Sequence, residues 1–152
     1  LEPKLIVADE PVSALDVSIR AQVVNLMQEL QTRLGIAYLF IAHDLSIVRH
    51  ISHRVAIMYA GRVMEIGTPD VIYRTPIHPF TEALIKAVPV PDPVVEQART
   101  DHPLAGETPS PIDTPAGCRF AARCPLATAH CRSESPPLTE RGRAHFAACW
   151  ER

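Results

Sequence analysis

The chain has 152 residues, enough for one ordinary core, with 47% hydrophobic and 21% charged residues. A formal net charge of -2 excludes a broadly basic nucleic-acid binder, and no apolar run reaches the ~20 residues that span a bilayer. The start, Leu1-Glu2-Pro3-Lys4, has no basic region followed by an apolar core, so no secretory signal is read and a cytosolic location, or one peripheral to the cytosolic face of a membrane, is expected.

Leu5-Ile6-Val7-Ala8 is a short apolar run ending in Asp9-Glu10-Pro11, and it reads as a buried strand with two acids at its carboxyl end. Val23, Leu26, Met27, Leu30 and Leu34 then recur at three and four residues, which predicts a helix with one apolar face. Asp16 or Ser18 can cap its start and Gly35 can end it. A second buried strand, Ile36 to Ala42, leads into His43-Asp44. Strand, helix and strand in this order make a parallel crossover unit. Leu45 to Ile51 reads as a short helix. Arg54 to Tyr59 and Arg62 to Ile66 read as two strands of a hairpin around Ala60-Gly61. Thr68-Pro69-Asp70 is a helix start, and Phe80 to Val88 is another short helix.

From Pro89-Val90-Pro91-Asp92-Pro93 to about Gly117 the chain is Pro-rich and polar, and reads as extended linker or loop. Ten of the 15 prolines lie from Pro89 onward. All four cysteines, Cys118, Cys124, Cys131 and Cys149, follow this stretch. In a reducing compartment such clustering points to a metal site rather than disulfides.

The two apolar strands each end in a group suited to phosphoryl chemistry. Ligands of open parallel sheets sit beyond the carboxyl ends of the strands. Phosphoryl transfer from ATP needs a carboxylate to hold the magnesium shell and a group to position the attacking water. Adjacent acids at a strand end can point to different targets, Asp9 to the metal and Glu10 to the water. Taken singly, Asp9-Glu10 is a solvated acidic turn and His43 a cap or surface histidine. The ordered set overturns both readings: apolar run, Asp-Glu-Pro, Ser13-Ala14-Leu15-Asp16, helix, apolar strand, His-Asp.

With that set in view, Leu5 to Pro11 resembles the Walker B motif of ABC ATPases, Ser13-Ala14-Leu15-Asp16 their D-loop, and His43 their switch histidine. The resemblance implies that Asp9 helps hold Mg²⁺ and that Glu10 positions or deprotonates the hydrolytic water. It also implies that His43 contacts the γ-phosphate, and that Ser13 and Asp16 belong to the nucleotide site, Asp16 reaching across a nucleotide-sandwich dimer. The sequence departs from the family in having no G-x-x-x-x-G-K-[ST] loop, no Gln loop and no Ser-Gly-Gly-Gln signature. Its six glycines, at 35, 61, 67, 106, 117 and 142, are scattered. Amides of the glycine-rich loop and its lysine supply most phosphate binding. The chain therefore reads as the carboxyl-terminal part of such an ATPase, inactive by itself.

The cysteine spacing, C-x5-C-x6-C-x17-C, is not that of a zinc finger. Four thiolates suit zinc or an iron–sulfur cluster equally well. His130 and His145 are alternative ligands, more simply read as polar surface residues. The tail is itself similar to the carboxyl-terminal region of dipeptide and oligopeptide (sometimes nickel) importer ATPases. The similarity rests on His78-Pro79-Phe80-Thr81-Glu82-Ala83-Leu84, Val88 to Pro93, Gly106-Glu107, Pro109-Ser110-Pro111, Gly117-Cys118-Arg119-Phe120 and Arg123-Cys124-Pro125. It implies that Cys118, Cys124, Cys131 and Cys149 hold a [4Fe–4S] cluster, with Zn²⁺ as the alternative.

The expected architecture is α/β: residues 1–88 as the carboxyl-terminal part of a P-loop ABC ATPase domain, and 89–152 as a Pro-rich linker with a small irregular cysteine-containing extension. The resemblance implies ATP and Mg²⁺ as cofactors. As partners it implies a second ABC ATPase subunit, two transmembrane permease subunits and an extracytoplasmic peptide-binding protein, with no nucleic acid. Chromosome-maintenance ATPases share the ATP motifs but would show long coiled-coil heptads, which this sequence lacks. A noncatalytic, metal-binding regulatory fragment is the competing reading, favoured by the missing glycine-rich loop. Arg49, His50, His53 and Arg54 read as a solvated basic face, because no aromatic residues are interleaved.

Overall fold

The computed structural model describes residues 2–88, 114–142 and 144–152. The chain divides into two compact units, Leu1–His53 and Arg54–Arg152.

In the first unit β1 (Leu5–Asp9) and β2 (Ala37–Ile41) pair in parallel, Leu5 opposite Ala37 and Asp9 opposite Ile41. Helix α1 (Val17–Leu34) makes the crossover, and the short α2 (Leu45–Ile51) follows β2. Gly35 closes α1 in the left-handed region, at φ 63°, where glycine carries no Cβ penalty. Asp16 is the N-cap residue of α1, but its side chain makes no capping bond. Val12, Val24 and Ile51 form the core, with Leu15, Val23, Met27, Phe40 and Ile47 packed on them.

Two expectations for this unit are corrected. The apolar stripe of α1 is centred on Val24, so Leu26 and Leu34 stand exposed instead of facing the core. Among the described residues alone, the strands are covered on one face. Leu5, Val7, Leu39 and Ile41 are all about half exposed, while Ile6, Ala8, Tyr38 and Phe40 alternate with them on the more buried side. Successive residues of a strand face opposite sides, so a two-stranded sheet with its core on one side leaves every second side chain open.

In the second unit β3 (Val55–Tyr59) and β4 (Arg62–Gly67) form the expected antiparallel hairpin. Its two turn residues, Ala60 and Gly61, both have positive φ, 47° and 77°, the backbone that matches the twist of a two-residue hairpin. The Arg119 guanidinium donates to the Ala60 carbonyl and holds this turn. Helices α3 (Pro69–Arg74) and α4 (Pro79–Lys86) follow, each with proline in its first turn. After residue 113 come α5 (Ala129–Ser133), β5 (Thr139–Gly142) and β6 (His145–Ala147).

The sheet order is β3-β4-β6-β5, all antiparallel. The cysteine segment is thus not an irregular appendage. Its strand β6 pairs with β4, Glu65 opposite Ala147, and Ala148 N donates to Met64 O at 2.8 Å. This pairing crosses the boundary expected at 88/89. The linker expected from Pro89 lies outside the described residues as far as 113, whereas its far end, Gly117, is buried. A Cβ on Gly117 would overlap the backbone of Cys131 and Arg132, so only glycine fits there. Phe120, fully buried, anchors the core and meets Tyr59 edge-on at 5.4 Å and Phe80 at 5.4 Å.

Candidate functional site

Asp9 ends β1, Glu10 follows it, and His43 lies two residues beyond β2, so the parallel pairing brings all three to one edge of the sheet. Glu10 N donates to Ile41 O at 2.9 Å, continuing the ladder for one residue after the strand has ended. Glu10 then adopts φ 44°, a left-handed backbone that a non-glycine residue holds only when its surroundings enforce it. Those surroundings are local: Ser13 donates to Glu10 O through both Oγ, at 3.0 Å, and its amide, at 3.2 Å. The turn aims the Glu10 carboxylate at His43, whose Nδ1 lies 3.2 Å from Glu10 Oε1. The side chains of His43 and Glu10 are 71% and 51% exposed, so the pair is open to an incoming ligand. Asp9, Ser13 and Asp16 are exposed as well.

Asp44, next to His43, has two tasks. Its Oδ1 accepts from Ser46 N and Ile47 N and caps α2, while Oδ2 lies 3.1 Å from Arg20 Nη1. Neither Arg20 nor this use of Asp44 was legible as part of the site, because the contact joins residues 24 apart on different elements.

The four cysteines all lie in the second unit. Cys118, Cys131 and Cys149 are buried, Cys124 is partly buried, and all are free. Cys118 N donates to Cys131 O at 2.8 Å, and Thr128 Oγ1 lies 3.4 Å from Cys131 Sγ. Burial pushes the Cys118 and Cys124 thiols up from their ordinary range, and the neighbouring cysteines, including Cys131 and Cys149, push them further. Among the described residues no group of three or more His, Cys, Asp or Glu side chains has the arrangement of a metal site.

His145, expected at the surface, is buried. Its Nε2 lies 2.6 Å from Oε1 of Glu65, which is fully buried on β4. The same carboxylate accepts from Ile77 N at 2.8 Å and His78 N at 2.9 Å. A charge inside the apolar run Val63-Met64-Glu65-Ile66 was the signal for this residue. His78 is buried too, and its Nδ1 accepts from Phe80 N at 3.0 Å to cap α4. Burial lowers its pKa to about 4, partly offset by Glu65, so the ring is neutral at pH 7, as an accepting Nδ1 requires. His130 is exposed, its ring 4.5 Å from that of Trp150.

Residues 64–131 match the family described as the oligopeptide/dipeptide transporter, C-terminal region. Almost the whole chain, 98%, aligns with a probable peptide ABC transporter ATP-binding protein of Sinorhizobium fredii at 54% identity, covering 42% of that relative. It aligns equally with the oligopeptide transport ATP-binding protein OppF of Escherichia coli, at 54% identity over 98% of this chain and 44% of the relative. Over this shared stretch the chain is similar to the ATP-binding proteins of peptide transporters. A putative oligopeptide transport ATP-binding protein of Bacillus subtilis, YkfD, is 52% identical over 98% of this chain and 45% of its own length. The chain therefore spans less than half the length of the relatives it matches. Among the described residues no helix is long and apolar enough to cross a membrane.

Proposed function

We propose that this chain is part of the ATP-hydrolysing subunit that energises import of dipeptides or oligopeptides, acting at the cytoplasmic face of the cell membrane. The observation that carries the reading is the open Glu10–His43 pair, 3.2 Å apart beyond two parallel strands, in a chain 54% identical to peptide-transport ATP-binding proteins. Glu10 accepts the proton of the attacking water or orients it, and His43 holds Glu10 in place and faces the γ-phosphate. Asp9 is an exposed carboxylate at a strand end, a hard oxygen donor that suits Mg²⁺. When bound, Mg²⁺ neutralises charge on the phosphates. Ser13 and Asp16 belong to the same nucleotide site, Asp16 toward a second ATPase subunit. Two transmembrane permease subunits and an extracytoplasmic peptide-binding protein complete the assembly, which involves no nucleic acid.

The four thiols fit an iron–sulfur centre in chemical kind. They are soft donors and all free, three of them buried and Cys124 partly so. Cys118, Cys124, Cys131 and Cys149 would hold a [4Fe–4S] cluster, or Zn²⁺, as a staple for the second unit.

Because these residues include no glycine-rich phosphate loop, the 152-residue chain alone is expected not to hydrolyse ATP. The test is phosphate release by the chain and by the full-length subunit carrying it, each with His43→Ala. A dead chain, an active subunit and a severely impaired variant support the reading. Hydrolysis by the chain itself, or an unimpaired His43→Ala subunit, contradicts it.

A further inference from the structure

The two segments proposed to carry the chemistry are tied together by Arg20, whose side chain bonds to Asp44 and Leu15. Arg20 Nη1 lies 3.1 Å from Asp44 Oδ2, and Nη2 donates to Leu15 O at 3.1 Å. Leu15 belongs to the loop between Glu10 and α1, and Asp44 is bonded in sequence to His43. The result is a closed ring. Glu10 contacts His43, whose neighbour Asp44 pairs with Arg20, and Arg20 reaches back to the loop whose Ser13 grips the Glu10 carbonyl.

Each link fixes something different. The cap bonds to Ser46 N and Ile47 N orient the Asp44 carboxylate on the rigid first turn of α2. The planar guanidinium presents two N–H groups at fixed separation, so holding both partners sets the distance between the two loops. Arg20 is itself rooted in the first turn of α1, where its amide donates to Asp16 O at 2.8 Å. Its Nε is buried without a hydrogen-bond partner among the described residues, so the side chain is held at its outer fork alone. The pair is about one-quarter to one-third exposed, less solvated than an ordinary surface ion pair.

We infer that Arg20 is a positioning residue for hydrolysis: its fork braces the loop after β1 against the segment after β2 and so sets the Glu10–His43 separation. The inference rests on the roles proposed above for Glu10 and His43. Arg20 acts through Asp44 and Leu15, so its loss should slow the chemical step without weakening nucleotide binding.

The experiment is steady-state hydrolysis and ATP binding by the full-length subunit assembled with its permease partners, for Arg20→Ala, Arg20→Lys, Asp44→Asn and the double variant Arg20→Ala/Asp44→Asn. A displacement of reacting groups by one ångström lowers rate by about 10²-fold. The brace therefore predicts that Arg20→Ala loses about that factor in kcat with KM for ATP unchanged. Arg20→Lys, with a single ammonium that reaches one partner, recovers part of the loss. Asp44→Asn keeps a capping oxygen and the side-chain shape, so it tests the brace even if Arg20→Ala does not fold, and it should show the same kcat defect. The double variant should be no worse than either single variant. Normal kcat in folded Arg20→Ala or in Asp44→Asn overturns the brace, as does a defect confined to KM, or additive losses in the double variant. Glu10→Gln in parallel separates the two claims. If Glu10→Gln is inactive while Arg20→Ala is normal, the brace alone is wrong. If Glu10→Gln hydrolyses normally, the underlying role of Glu10 is wrong.

Discussion

Replacing Glu65 by alanine should destabilise the second unit more than any surface change. The carboxylate is fully buried and serves three donors from two places in the chain: the adjacent Ile77 N and His78 N, and His145 Nε2. Truncation leaves all three unpaired. A buried donor without a partner costs about 1–3 kcal/mol. Three of them would sum to ~3–9 kcal/mol if nothing relaxed, and water entering the space left by the side chain satisfies some. Removing one partner of a buried pair costs about 3–5 kcal/mol, and that is the expected loss. It is a large share of the ~5–15 kcal/mol by which domains are stable. Urea unfolding followed by the fluorescence of Trp150, the sole tryptophan, reports on this unit, since Trp150 Nε1 donates to Glu134 O at 3.1 Å within it. Because Glu65 lies on β4 and His145 on β6, the loss should appear in the transition of the cysteine segment as well as that of the hairpin. Glu65→Gln, which keeps the shape and one acceptor, should fall between wild type and alanine. A loss below about 1 kcal/mol for Glu65→Ala would refute the reasoning, since it would mean that these donors find equal partners elsewhere.

Two further outcomes follow from the same unit. The pKa of His78 is lowered to about 4 from an ordinary 6.5, chiefly by burial, so the unfolded state binds the extra proton first as pH falls. Stability is therefore full above pH 6.5 and declines between 6.5 and about 4, by about 3 kcal/mol at the lower end. His78→Asn keeps a capping side chain but does not titrate, and urea unfolding at several pH values should show a flatter profile; an unchanged slope would contradict the assignment. Anaerobic purification should give iron and acid-labile sulfide in [4Fe–4S] proportion, lost together on Cys131→Ser. Stoichiometric zinc would keep the site and change the metal, and metal-free protein with independently reactive thiols would reject both.

The local elements were legible because their signals are local. Apolar run, turn and helix period marked β1, α1 and β2 within a residue or two, and Ala60-Gly61 marked the hairpin turn. The candidate pair Glu10 and His43 was legible because each sits where an apolar run ends. What depends on distant partners was not legible. Strand β6 is three residues long, too short for an alternating pattern, and its pairing partner lies some 80 positions earlier. The Glu65–His145 contact spans the same gap, so His145 looked like any polar tail residue. The half-open strands escaped notice because an apolar run looks alike whether one face or both are covered. Arg20 carried no sequence signal, since nothing in its own turn points to Asp44.

The central claim is that Glu10 performs the hydrolytic step, and Glu10→Gln in the full-length, assembled subunit tests it most directly. The substitution keeps size and hydrogen bonding, including a contact to His43, but removes the basic carboxylate. Phosphate release measured beside ATP binding should show hydrolysis lowered by about 10²–10⁴-fold, the usual contribution of a general base, with binding retained. Near-normal hydrolysis in that variant would contradict the account.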